Sequence, residues 1–181
     1  MKAVLFRAHG GPDTLSYEDL PVPTIGPEEV LVRVKACALN HLDIWIRQGN
    51  PAYPMPLPHV SGSDVAGIVE QVGTQAEGVI VGQRVFVSPG LSCWKCERCL
   101  AGRDNLCRSY GLVGAMTHGG YAEYVNVPFR NVLPIPENLS FEQAAAFPLK
   151  REILRNRQDI AERHVHILRV TAVRHGADQS I

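Results

Sequence analysis

The stretch Ser92-Cys93-Trp94-Lys95-Cys96-Glu97-Arg98-Cys99-Leu100-Ala101-Gly102-Arg103-Asp104-Asn105-Leu106-Cys107 holds four of the chain's five cysteines, in the spacing C-x2-C-x2-C-x7-C. Structural zinc takes four tetrahedral ligands in a closed site, with sulfur at about 2.3 Å. Two-residue gaps let a tightly turned backbone bring three thiolates around one face of an ion. The longer loop then returns Cys107 to the fourth corner. Gly90 and Gly102 are expected to allow the bends, and Lys95, Arg98, Arg103 and Arg108 to offset part of the negative charge of four thiolates on a divalent ion. Unrelated thiols, two disulfides or an iron–sulfur cluster are the competing uses of these residues. In a reducing compartment the spacing favours one structural zinc on Cys93, Cys96, Cys99 and Cys107. With every position ligated, that ion cannot activate a substrate.

Outside this lobe, composition is that of an ordinary globular protein, and the formal net charge of the 181 residues is zero. No global field therefore steers the chain to nucleic acid. The lobe itself carries four basic and two acidic side chains with a single Trp, a weak footprint for that role. The apolar run at Met1 to Gly11 is too short for a secretory core, and no stretch approaches a membrane span, so a cytoplasmic protein with no membrane partner is expected. Charge is unevenly divided: Met1 to Leu149 hold 11 Lys and Arg against 14 Asp and Glu, whereas Lys150 to Ile181 hold seven against four. All 13 prolines, 15 of the 16 glycines and every aromatic residue precede Lys150, which places a boundary between residues 149 and 150.

Before that boundary the chain reads as short strands punctuated by Gly and Pro. Strands are expected at Lys2 to Arg7, Leu15 to Leu20, Glu29 to Leu39, Val65 to Val72, Val79 to Val87, Tyr121 to Val127 and Asn131 to Ile135. In Glu29 to Leu39 the valines alternate, with Leu31 blurring which face is apolar. Helices are expected at Leu42 to Gln48 and at Phe141 to Phe147, the latter opened by Ser140 with Gln143 in the capping-box place. Many short strands and few helices predict a mainly β fold, a barrel or sandwich.

A family resemblance spans essentially Met1 to Leu149. MKAV, GGPDTL, EEVLVRVKACALNHLD, PHVSGSDVAGIVEQVG, VGQRVFVSPG, the four cysteines, HGGYAEYVNVP and LSFEQAAAFPL follow one another as they do in the zinc-containing alcohol dehydrogenases of the medium-chain dehydrogenase/reductase superfamily. The resemblance implies a GroES-like, partly open β-barrel with short helices and a zinc lobe at residues 90–110. It also implies a neighbouring Rossmann domain for NAD(P), with substrate in the cleft between the two. Two departures stand out. A catalytic-zinc cysteine would begin the segment that here starts at Asn40, and a zinc histidine would occupy the place of Ser63, just before Asp64. Neither Asn nor Ser is a good zinc ligand, so the second, catalytic zinc is expected to be absent. His41 and His59 lie close enough in sequence to rescue a site, but a surface or structural role is the reading preferred for them. The pattern Asn40-x-x-Asp43-x-x-x-Arg47-x-Gly49 resembles the quinone-oxidoreductase branch, which works without that zinc. By resemblance Asn40, Asp43, Ser63 and Asp64 are pocket positions, with Asn40 lining the nicotinamide or substrate and Asp43 fixing the local backbone. Cys37 reads as a small buried side chain. Gln83, where relatives carry Asp, is expected to weaken one turn.

No Gly-x-Gly-x-x-Gly occurs in the sequence, and the 32 residues from Lys150 are too few for a Rossmann domain. This tail departs from the family text and reads as a frameshifted, truncated or disordered segment. Ile153 to Leu168 have loose helical spacing, Val165 to Val173 could equally extend, and His164 and His166 read as solvated. The expected function is a piece of an NAD(P)-dependent oxidoreductase acting on an alcohol, aldehyde, enone or quinone, with NAD(P) bound only in full-length relatives and no activity of the chain alone. The alternative is a non-catalytic, zinc-stabilised binding module. Barrel surface left exposed would favour a homodimer.

Overall fold

A computed structural model describes residues 1–49 and 55–148. The expectations for the tail from Lys150 onward lie outside the described residues. The strands are β1 (Lys2–Phe6), β2 (Leu15–Asp19), β3 (Glu29–Ala38), β4 (Asp64–Val72), β5 (Arg84–Val87), β6 (Gly90–Leu91), β7 (Gly111–Leu112), β8 (Tyr124–Pro128) and β9 (Val132–Pro134). Three α-helices accompany them: α1 (His41–Gln48), α2 (Glu97–Leu100) and α3 (Phe141–Ala145). Five strands form one antiparallel sheet in the order β8-β3-β4-β5-β9, while β1 with β2 and β6 with β7 make two-stranded pairs. The sheet is open, ending on β8 at one side and β9 at the other. The mainly β class with short helices stands, in an open sheet rather than a closed barrel.

Central placement explains the pattern of β3. It is paired on both sides, by β4 and β8, and Val30, Leu31 and Val32 are all buried. Leu31 is apolar because both faces of this strand are covered. Val30 and Val32 join Val65, Val69, Val85 and Val125 in the main core cluster. Each such valine contributes about 1.5–3 kcal/mol through burial. On the far part of the sheet, small residues let α3 approach closely: Ala144 and Ala145 pack with Ala38 and Ala66. Ser140 and Gln143 start α3 by exchanging hydrogen bonds of 3.2 and 2.9 Å, as the capping pattern predicts, although the helix ends at Ala145.

Two expected strands are shorter than their β-branched runs. Val79 to Gln83 is no strand; Gly78 and Gly82 take φ of 73° and 85°, and Ile80 and Val81 are exposed in a turn. Gln83 closes that turn by hydrogen bonds at both ends. Its Oε1 accepts from the Ile80 N–H at 3.1 Å while its own N–H donates to the Ile80 carbonyl. At the other strand, Tyr121 to Glu123 precede β8 because their backbone is bonded elsewhere: Val4 N–H donates to the Tyr121 carbonyl at 2.7 Å and Tyr121 N–H to Ser61 at 3.0 Å.

Candidate metal centre and candidate active site

The lobe is built almost wholly from local contacts. Its backbone turns at Trp94, with φ of 56°, and at Gly102, with φ of 71°. Gly90 instead sits in β6, paired with Leu112, so Trp94 takes the bending role expected of it. Helix α2 hangs from Cys96, whose carbonyl accepts from Leu100 N–H at 2.9 Å. Residues 104–106 form a single 3-10 turn that delivers Cys107. Ser92 Oγ donates to the Asp104 carbonyl, and Arg98 spends its guanidinium on the Leu106 carbonyl at 2.9 Å.

All four cysteines are free thiols, and their sulfur atoms lie within 4.8 Å of one another. Cys93 to Cys99 is 3.9 Å, Cys96 to Cys99 3.4 Å and Cys96 to Cys107 4.0 Å. Tetrahedral zinc with sulfur at about 2.3 Å requires sulfurs about 3.8 Å apart. These separations bracket that value and are far from a disulfide, so the donor set is able to chelate a metal ion. Backbone N–H groups of Cys93 and Ser109 point at Cys107 Sγ from 3.5 and 3.4 Å, the kind of donor that supports thiolate. N–H groups of Lys95 and Cys96 pull the Cys93 thiol down to about 6, whereas burial pushes Cys99 up to about 12. Metal uptake therefore has to release protons.

The second cluster gathers where β3, α1 and β4 meet. Asn40 caps α1 in extended backbone, φ −128° and ψ 153°. Its N–H donates to Asp43 Oδ2 at 2.7 Å, and its side-chain amide donates to Asp64 Oδ2 at 3.0 Å. Asp64 is 4 % exposed and Ser63 0 %, and Ser63 Oγ has no hydrogen-bond partner among the described residues. Burial pushes the Asp43 carboxyl above the usual range, against the pull of hydrogen bonds from Tyr121 and Asn40. Thus Asn40, Asp43 and Asp64 are brought together, with Ser63 beside Asp64. Cys37 borders them, its thiol pushed well up by burial and by the two carboxylates. Beside Asn40 in the chain, Leu39 is exposed, as are Ile44 and Trp45 of α1.

The histidines do not join the cluster. His41 is exposed, its ring 4.9 Å edge-on from Trp45, and His59 is buried with its Nε2 3.1 Å from the Gly114 carbonyl. Among the described residues, the four cysteines are the one group of three or more such ligands close enough to share an ion. Reading from sequence missed Tyr121. Its hydroxyl donates to Asp43 Oδ2 at 2.6 Å, a contact that spacing along the chain does not reveal.

The chain thus joins an open β sheet, a four-cysteine lobe and a polar cluster at the head of α1. Residues 26–137 match the alcohol dehydrogenase GroES-like domain, and the chain belongs to that family, within the medium-chain dehydrogenase/reductase superfamily. It is 39% identical over 135 residues to an L-threonine 3-dehydrogenase of Rhizobium etli, a match covering 74% of this chain and 39% of that protein. Among solved structures it is similar to an NAD-dependent alcohol dehydrogenase at 57% identity and TM-score 0.79, covering 82% of this chain and 43% of that one. A cobalt- and zinc-bound thermostable alcohol dehydrogenase from Pyrobaculum aerophilum follows at 37% identity and TM-score 0.75, with 82% and 44% covered. The chain spans about two fifths of the length of the curated relatives it matches. Among the described residues no helix is long and apolar enough to cross a membrane.

Proposed function

We propose that this chain is the substrate-side domain of an NAD(P)-dependent oxidoreductase, stapled by one structural zinc on Cys93, Cys96, Cys99 and Cys107 and working without a catalytic zinc. One observation carries the zinc-free pocket: Asn40 and Ser63 stand where the resemblance calls for metal ligands, and the Asn40 amide is already bonded to Asp64 at 3.0 Å. An amide held this way spends one N–H on the carboxylate and keeps a second for a ligand. NAD(P) would supply the hydride in such chemistry. The residues of this chain would orient an alcohol, aldehyde, enone or quinone and polarise its oxygen from Asn40. The described residues offer no glycine-rich strand–turn–helix to grip a pyrophosphate. A polypeptide of these 181 residues therefore should not hold the cofactor alone. The exposed apolar side chains of Leu39, Ile44 and Trp45 support a face covered in a longer protein.

The test is fusion of residues 1–149 to the cofactor domain of a relative. The fusion should bind NAD(P)H, turn over a panel of these substrates and hold no metal beyond the lobe. The unfused chain should show no binding of NADH or NADPH at about 1 mM, an affinity of only about −4 kcal/mol. Saturable binding by the unfused chain would sink this reading. A fusion that folds and binds cofactor but turns over nothing would favour the binding module.

A further inference from the structure

Tyr121 touches both segments that carry the polar cluster. Its N–H donates to the Ser61 carbonyl at 3.0 Å, and the preceding Gly120 N–H donates to Gly62 at 2.8 Å. These bonds pin the backbone that runs directly into Ser63 and Asp64. From the other end of the same residue, the hydroxyl donates to Asp43 Oδ2 at 2.6 Å. That same oxygen accepts the Asn40 N–H, at 2.7 Å, and so fixes the capping residue of α1. Gly62 makes the approach possible. With φ of 101°, it runs so close to Tyr121 that a Cβ there would lie 2.8 Å from the ring and 2.9 Å from the backbone nitrogen. Burial and the neighbouring Asp43 hold the phenol far above its ordinary value, so the hydroxyl remains a donor.

We infer that Tyr121 is a positioning residue of the pocket, holding Asn40 at its distance from Asp64 by clamping α1 through Asp43 and the Ser61–Asp64 segment through its backbone. This rests on the zinc-free pocket proposed above, where Asn40 is the group that meets the ligand. In that setting an organic brace sets a spacing that no bound ion is there to set. The side chain never needs to reach the ligand. Its effect passes through the Asp43 carboxylate, whose Oδ2 accepts from both Tyr121 and Asn40 and which the Gly62 N–H also supports.

The experiment follows the Asn40 side-chain N–H protons by NMR in the zinc-loaded 181-residue chain, without ligand. Tyr121→Phe should speed their exchange with solvent about tenfold, the scale of one lost hydrogen bond. Asp43→Asn should speed it at least as much, and the double variant should be no faster than Asp43→Asn alone, because Tyr121 acts through that carboxylate. Tyr17→Phe, at an exposed tyrosine of β2, should change nothing. A Tyr121→Phe protein that melts earlier yet keeps wild-type exchange at Asn40 overturns the inference, as do effects that multiply in the double variant. If Tyr121→Phe does not fold, 3-fluorotyrosine at 121 keeps the hydroxyl and strengthens it as a donor. It should then shift the Asn40 amide resonances, and unchanged resonances overturn the inference equally. No cofactor or substrate enters these measurements, so a fusion without turnover would count against the pocket and leave this result to be judged separately.

Discussion

Asn40 donates a side-chain N–H to Asp64 Oδ2 at 3.0 Å, joining the cap of α1 to the first residue of β4 across 24 positions of chain. Asp64 is 4 % exposed, so the bond removes part of the cost of burying its carboxylate. Asn40→Ala should lower stability by about 1–3 kcal/mol in urea unfolding at pH 7. Asn40→Asp should cost more there, since it sets carboxylate against carboxylate, and should recover as pH falls. An Asn40→Ala protein within about 0.5 kcal/mol of the parent would show the bond to be idle.

Purified protein should hold one zinc per chain, and Cys99→Ser should lower both metal content and stability. Structural zinc binding is folding free energy, about 10–16 kcal/mol in small zinc-finger peptides at neutral pH. Acidification should release the ion, because protons compete for the thiolates. Two zincs per chain would refute the metal-free pocket, and no zinc in protein prepared without chelator would refute the lobe assignment.

Gly62→Ala tests the close approach behind the pocket. The new methyl would lie 2.8 Å from the Tyr121 ring and 2.9 Å from Cys37 Sγ, at a φ of 101° that L-residues avoid. Destabilisation of about 3 kcal/mol or more is expected, from strain and overpacking together. Thermal melts would read it, and a loss under about 1 kcal/mol would mean that the two segments separate easily.

Burial lowers the pKa of His59 from 6.5, helped by the nearby His118 and His9, and opposed by the hydrogen bond to Gly114. For a base with a depressed folded value, stability is present above the unfolded pKa and is lost as pH falls through the folded one. Unfolding free energy should therefore decline below pH 6.5. His118, also lowered by burial, contributes with the same sign. His59→Phe should flatten the decline while costing stability at pH 8 through the lost Gly114 bond. A profile just as steep in the variant would remove His59 as its source.

The gathering of the four cysteines was legible in sequence because the lobe is local, although a tryptophan rather than Gly90 takes the left-handed turn. Asn40 and Ser63 were legible as departures from a family pattern. What those departures build was not, since the bonds from Asn40 to Asp64 and from Tyr121 to Asp43 are made only through the fold. Propensity also misled at Val79 to Val81, where β-branched residues have no neighbouring strand and Gly78 and Gly82 bend the chain away. The same holds for Tyr121 to Glu123, read as the start of a strand but with a backbone that answers to β1 and Ser61.

The two clusters differ in how far the chain must travel to close them. The outermost cysteines are 14 positions apart, whereas Asp43 and Tyr121 are separated by 78. Loop closure alone makes the longer connection costlier by about 1.5 kcal/mol. An order of assembly follows: the lobe can close around its metal as soon as Cys107 has been synthesised, while the pocket waits for the segment after Gly120. Pulsed hydrogen exchange during refolding with zinc should protect the amides of Leu100 and Cys107 before that of Tyr121. The metal would then act as an early local nucleus, and the pocket would be among the last features to become native.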